Sequence, residues 1–267
     1  MSHSSWLKVS EPLRNVWRIE NNGMVSEYLV KGSDKALLID TGWGIGDLAE
    51  EVKNLTPLPV IVVNTHGHPD HTCGNYQFGD AHIHEADVPL MKRNYSPAMR
   101  FNILKRFPKN TLPTGFSEEA WIHAPLKHFT PFKGSMSFDL GGRSIEVIET
   151  PGHTHGSICL YDKMDRILFC GDSFLAGNTM LHMEDSTPLN VYYKSVSKLV
   201  SMVDKFDKLM PAHGKSPVEP KILREMQAGL KKVLDGSLEG TPIKTPFGEG
   251  LSVSFGDCGI TYREDRL

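Results

Sequence analysis

The chain is sparing with cysteine. Its four, Cys73, Cys159, Cys170 and Cys258, are scattered with no CxxC pair. This fits reduced thiols and excludes a disulfide framework. Cys159 and Cys170 lie in apolar runs and are expected in the core, and Cys73 is expected to be a packed thiol. No apolar stretch approaches the roughly 20 residues that cross a bilayer. The opening MSHSSWLKVSEPLRN lacks a basic region followed by an apolar one, so neither a membrane nor export is expected, and the expected location is cytoplasmic. Charge of one sign is missing too: 29 Lys and Arg stand against 32 Asp and Glu, a net −3. Nothing there favours a nucleic-acid partner. Repeats and low-complexity segments are absent. So is a GxSxG nucleophile elbow, which neither GDS nor HGS satisfies.

What remains is an ordinary globular composition, 39% hydrophobic and 23% charged over 267 residues. That is enough chain for one sizeable α/β core, and a single domain over 1–267 is expected. NVWRIE, SEYLV, KALLID, PVIVV and AHIH read as strands, followed later by SMSFDL, RSIEVIET, SICLYD and RILFCGD. DLAEEVKNL, EADVPLMKR, LNVYYKSVSKLVSMVDKF and EPKILREMQAGLKKVLDG carry apolar residues at helical spacing. Residues 251–263 read as a C-terminal hairpin. Residues 94–125 mix basic, aromatic and proline residues, and so long a loop-rich insertion is expected to be a cap over a site. In it, Arg100, Lys105 and Arg106 are candidates to attract an anionic tail.

The chemistry concentrates at strand ends. His66, His68, Asp70 and His71 fall within six residues of THGHPDH, directly after the apolar run PVIVV. Ligands in open α/β sheets gather beyond the carboxyl ends of strands. His153 in PGHTHGS, Asp172 in GDS and His213 in PAHG each follow an apolar run in the same way. Imidazole and carboxylate donors suit zinc, iron or manganese. Seven donors exceed one tetrahedral zinc and fit two divalent metal ions sharing a carboxylate. Gly67 and Pro69 argue for loop geometry here and against an HExxH helix. His3, His82, His84, His123, His128 and His182 are expected on the surface or hydrogen-bonded in the core.

LLIDTG, THGHPDH, PGHTHGS, GDS and PAHG, in that order, resemble the motifs of the metallo-β-lactamase-fold hydrolase superfamily over residues 13 to 215. The resemblance implies a four-layer αββα sandwich with a dinuclear site at one edge. By that likeness His66, His68 and His153 hold one metal, Asp70, His71 and His213 the other, and Asp172 bridges. Asp40 matches the aspartate that supports the ligands from behind. Two cations about 3.5–4 Å apart share a hydroxide at neutral pH, held by Asp70 and Asp172 as the catalytic carboxylates. The function expected is therefore hydrolysis of a small carbonyl substrate (a thioester, lactone or carboxylic ester) by a metal-bridging hydroxide. The alternatives are an iron-dependent oxidoreductase or dioxygenase at the same residues, or a phosphodiesterase. The related diiron reductases carry Glu where His68 stands and add a flavin domain. Glyoxalase II-like thioesterases carry GDTLF and CGHEYT where this chain has GDSFL and PAHG. The candidate substrate pocket is His155, Phe107, Trp121 and Tyr193. A small-molecule partner is expected, and a homo-oligomer is compatible with the composition.

Overall fold

The computed structural model describes residues 6–267, and the chain divides into two compact units. Of the described residues, the first comprises 6–133 and 138–143. Its seven-stranded sheet runs in chain order: β1 (Leu7–Leu13), β2 (Val16–Asn21), β3 (Val25–Lys31), β4 (Ala36–Ile39), β5 (Val60–Val63), β6 (Asp80–His84) and β7 (His128–Phe132). The pairs from β1 to β4 are antiparallel, and those from β4 to β7 parallel. α1 (Leu48–Leu55) makes the β4–β5 crossover. Asp47 caps it by accepting from the Glu50 N–H at 3.0 Å, and Leu48 and Val52 are its buried residues. They join Ile19, Leu29, Leu38 and Val62 in one apolar cluster.

Past β5 the chain makes a single helical turn, α2 (Pro69–Thr72). This corrects the expectation that Pro69 keeps the segment out of a helix. Pro69 sits at the first helical position, where the missing N–H costs nothing and the fixed φ helps. Downstream come α3 (Val88–Asn94), α4 (Pro97–Leu104) and α5 (Glu118–Ile122), so residues 94–125 are partly helical.

The second unit comprises residues 134–137 and 144–267. β8 (Ser137–Asp139), β9 (Ser144–Glu149), β10 (Ile158–Asp162) and β11 (Ile167–Gly171) come next along the chain, followed by β12 (Gly177–Leu181) and β13 (Lys208–Pro211). The main sheet has the order β13-β11-β10-β9 and ends at the short β8. β10 and β11 are buried on both faces, which is why they read as unbroken apolar runs. β14 (Thr241–Thr245), β15 (Gly248–Ser254) and β16 (Cys258–Tyr262) complete a second sheet, ordered β12-β16-β15-β14. The expected hairpin is the antiparallel β15–β16 pair, with Leu251 opposite Tyr262. α6 (Leu189–Ser201) and α7 (Ile222–Leu234) bury their apolar stripes in this unit's core. Gly229 on α7 lies so close to Phe255 that an added Cβ would fall 2.1 Å from the ring. Among the described residues, no helix is long and apolar enough to cross a membrane.

Candidate metal centre

The first unit places its four candidate ligands just past β5. β4 and β5 are parallel neighbours, so the residues that leave their ends meet. The Asp40 N–H donates to the Val63 carbonyl at 2.8 Å, and Asp40 Oδ1 accepts from the Thr65 N–H at 2.7 Å. Asp40 Oδ2 accepts from Thr65 Oγ1 at 2.8 Å and from His71 Nδ1 at 2.8 Å. The Thr65 hydroxyl, having donated to Asp40, accepts from His66 Nδ1 at 3.1 Å. One buried carboxylate therefore fixes the Nδ1–H tautomer of two histidines, directly for His71 and through Thr65 for His66. Each ring's lone pair is left on Nε2. His66 Nε2 lies 3.0 Å from His68 Nδ1, and His71 Nε2 lies 3.7 Å from Asp70 Oδ2. His66 and His71 are buried, and His68 and Asp70 are partly exposed.

The second unit brings its three together by the same device. β11 and β13 are parallel, and the Ala212 N–H donates to the Gly171 carbonyl at 3.0 Å. Asp172 and His213 therefore leave adjacent strand ends, with Asp172 Oδ1 3.3 Å from His213 Nε2. Asp172 Oδ2 lies 3.5 Å from His153 Nε2. His153 donates from Nδ1 to the Met180 carbonyl on β12 at 2.7 Å, which again leaves its lone pair on Nε2. One carboxylate thus turns a different oxygen toward each of two imidazoles, the arrangement a bridging ligand needs. These donor sets fit divalent cations: nitrogen and oxygen lone pairs, with tautomers set by the protein.

Behind the first set lies Glu27, on β3 and fully buried. Its Oε1 accepts from Asn21 Nδ2 at 3.1 Å, and the Asn21 side-chain carbonyl accepts from the Trp6 indole. Burial pushes the Glu27 carboxyl up to about 8, and the nearby Asp40 charge adds to the rise. Burial likewise pushes the Cys73 thiol up to about 12, which keeps it a packed, protonated thiol. All four cysteines are free and buried.

The pocket candidates are placed differently. His155 is exposed, two residues past His153. Phe107 is buried against the Trp6 and Trp43 rings, at 5.8 and 5.3 Å between centroids. Trp121 is 1% exposed and donates its indole N–H to the Trp43 carbonyl at 3.0 Å. Tyr193 packs against the second unit's core. Arg100 corrects an expectation outright. It is fully buried and donates to the Trp121 and Cys73 carbonyls at 2.6 and 3.1 Å, with no face left for an anionic tail. The histidines read as non-ligands have such roles. His82 bonds the Val62 carbonyl, His84 accepts from the Ala86 N–H, His128 pairs with Asp80, His182 bonds Thr245, and His123 is exposed. His3 lies outside the described residues.

Thr65, Glu27 and the Met180 carbonyl were not found by sequence reasoning. Thr65, beside His66 in the motif, had a signal; a backbone carbonyl has none.

Three comparisons bear on this geometry. The family model described as "Metallo-beta-lactamase superfamily" matches residues 21–213. The "Acyl-coenzyme A thioesterase MBLAC2" of Bos taurus is 29% identical over 212 residues, covering 73% of this chain and 74% of that protein. The protein of the same name from Homo sapiens is 27% identical over 208 residues, with the same coverage. Among solved structures, "Metallo-beta-lactamase from Pontibacter korlensis" superposes with a TM-score of 0.64 at 22% identity, covering 84% of this chain and 99% of that one. That likeness shows the fold: mixed α/β with several sheets.

Proposed function

Because the chain belongs to the metallo-β-lactamase superfamily, we propose that it is a dinuclear metallohydrolase that cleaves a small acyl thioester. Two divalent cations, zinc foremost with iron or manganese as substitutes, would be held by His66, His68, Asp70, His71, His153, Asp172 and His213. The first unit brings His66, His68, Asp70 and His71 together, and the second His153, Asp172 and His213. By the family likeness His66, His68 and His153 would hold one cation and Asp70, His71 and His213 the other, with Asp172 as the carboxylate between them. When bound, the pair supplies Lewis acidity toward a carbonyl and acidifies water at neutral pH.

The observation that carries the proposal is the tautomer arrangement. His66, His71 and His153 each commit Nδ1 to a protein acceptor, at 3.1, 2.8 and 2.7 Å. A histidine serving only to pack has no need of so consistent a choice. Asp70 and Asp172 keep acceptor capacity on their carboxylates, which orients an attacking water. His155, exposed beside His153, is the pocket residue retained for substrate contact. Phe107, Trp121 and Tyr193 are engaged in packing.

The thioester choice follows the two curated relatives, both thioesterases by name. A small thioester also agrees with the near-neutral charge, which gives no track for a long polyanion. The test is an initial-rate panel on zinc- and manganese-reconstituted protein: an acyl-CoA, a γ-lactone, an aryl ester, a β-lactam and a phosphodiester, with His68→Ala as blank. The acyl-CoA should turn over fastest and well above the blank. Faster turnover of the phosphodiester or β-lactam sinks the substrate class. Silence across the panel, with tightly bound iron and oxygen uptake, sinks the hydrolase itself.

A further inference from the structure

The backbone of the loop that carries His66, His68, Asp70 and His71 is gripped along its length by side chains from one later segment. Gly67, between two proposed ligands, donates its N–H to Asp87 Oδ2 at 2.7 Å. Its carbonyl accepts from Asn94 Nδ2 at 2.6 Å. Asp87 and Asn94 bracket α3, so one short helix holds both polar groups of a single residue. The fit is close: a Cβ on Gly67 would lie 2.8 Å from the Asp87 carbonyl oxygen and 3.0 Å from Leu90 Cβ. At the far end of the loop, the Thr72 carbonyl accepts from the Tyr95 hydroxyl at 2.8 Å, and the Cys73 carbonyl accepts from Arg100 Nη2 at 3.1 Å.

Arg100 anchors the grip. It has no solvent exposure, and its guanidinium carbon lies 4.2 Å from the centroid of the Tyr95 ring and 4.7 Å from that of Trp121. Its Nη1 donates to the Trp121 carbonyl, and Trp121 in turn donates to the Trp43 carbonyl. A planar fork that bonds two carbonyls while stacked on rings is a task for arginine and not for lysine. Asp87 and Asn94 are each 2% exposed, so their bonds to Gly67 are shielded from competing water.

We propose that residues 87–121 form a clamp on the metal-binding loop, with Asp87, Asn94, Tyr95 and Arg100 as positioning residues that set metal affinity. This rests on the proposed metal site. The clamp has two ends with separate targets. Asp87 and Asn94 set the spacing of His66 and His68, proposed ligands of one cation. Tyr95 and Arg100 set the end of α2 that bears Asp70 and His71, proposed ligands of the other. Partners of this kind tune metal affinity by about 10–100-fold.

The experiment is a two-step zinc titration against a chromophoric chelator, with melting of the metal-free protein measured alongside. Wild type should bind two zinc ions. Asp87→Ala and Asn94→Ala should each weaken one step by about 10–100-fold and leave the other within threefold. Asp87→Asn, which keeps an acceptor for the Gly67 N–H, should restore the weakened step. Tyr95→Phe, which removes a single hydroxyl and keeps the ring, should weaken the opposite step. A merely structural role predicts a lower metal-free melting temperature with both steps moved alike, and that result overturns the clamp. So do wild-type affinities at both steps in all the variants. A wild-type protein that takes up no metal overturns the site and the clamp together.

Discussion

Asp40 accepts the Nδ1 proton of His71 at 2.8 Å, with side-chain exposures of 2% and 0%. Asp40 also sits at φ +65°, in the left-handed region that Asp and Asn tolerate better than other side chains. The residue therefore makes the turn out of β4 and fixes the tautomer of a proposed ligand that is far from it in sequence.

Asp40→Asn keeps the backbone geometry but turns an amide donor toward His71 Nδ1 or the Thr65 hydroxyl. Zinc affinity should fall by about 10–100-fold, with far-UV circular dichroism unchanged. Isothermal titration of the metal-free protein reads this directly.

Asp172→Asn removes the carboxylate whose two oxygens face His153 and His213 at 3.5 and 3.3 Å. Bound metal, measured by elemental analysis after gel filtration, should drop from two equivalents to one or none. Thioester turnover should fall to the His68→Ala level. Full metal content with undiminished turnover would refute the bridging role.

Glu27 yields a pH dependence. Its folded-state value of about 8 exceeds the ordinary 4.5, so folding takes up a proton at this site. Stability from this group is undiminished at low pH and falls as pH rises from about 4.5 to about 8. Glu27→Gln, which cannot ionise, should melt at least about 2 °C above wild type at pH 8.5. The two should nearly coincide at pH 5. An equal shift at both pH values would show that ionisation is not the cause.

Tyr192 is buried and donates its hydroxyl to the Ser173 carbonyl, beside Asp172, at 2.9 Å. Burial raises its phenol well above the usual range, so it stays protonated. Tyr192→Phe should cost about 1 kcal/mol of stability, seen in thermal melts, with kcat kept within twofold. A large loss of kcat at wild-type stability would assign this tyrosine to the chemistry.

The seven candidate donors stood out because chemistry-bearing side chains crowd the ends of apolar runs, and β5 and β11 were legible as two of those runs. β12 and β14 were not. Gly177–Leu181 and Thr241–Thr245 are short, and β14 is largely exposed; β12 exists through pairing with the distant β16, and β14 as one arm of a tight hairpin with β15. Arg100 was misread for a related reason. Arginine in a polar stretch is normally solvated, and only the tertiary fold supplies the carbonyls and rings that make its burial tolerable. Pro69 was misread because proline breaks a helix interior but suits its first turn.

The most direct test of the central claim is acyl-CoA hydrolysis by chelator-stripped protein retitrated with zinc, following release of the free thiol. Turnover should be absent in the stripped protein and rise to a plateau at two equivalents of zinc. Full activity after stripping, or two zinc ions bound with no thioester cleaved, would contradict it.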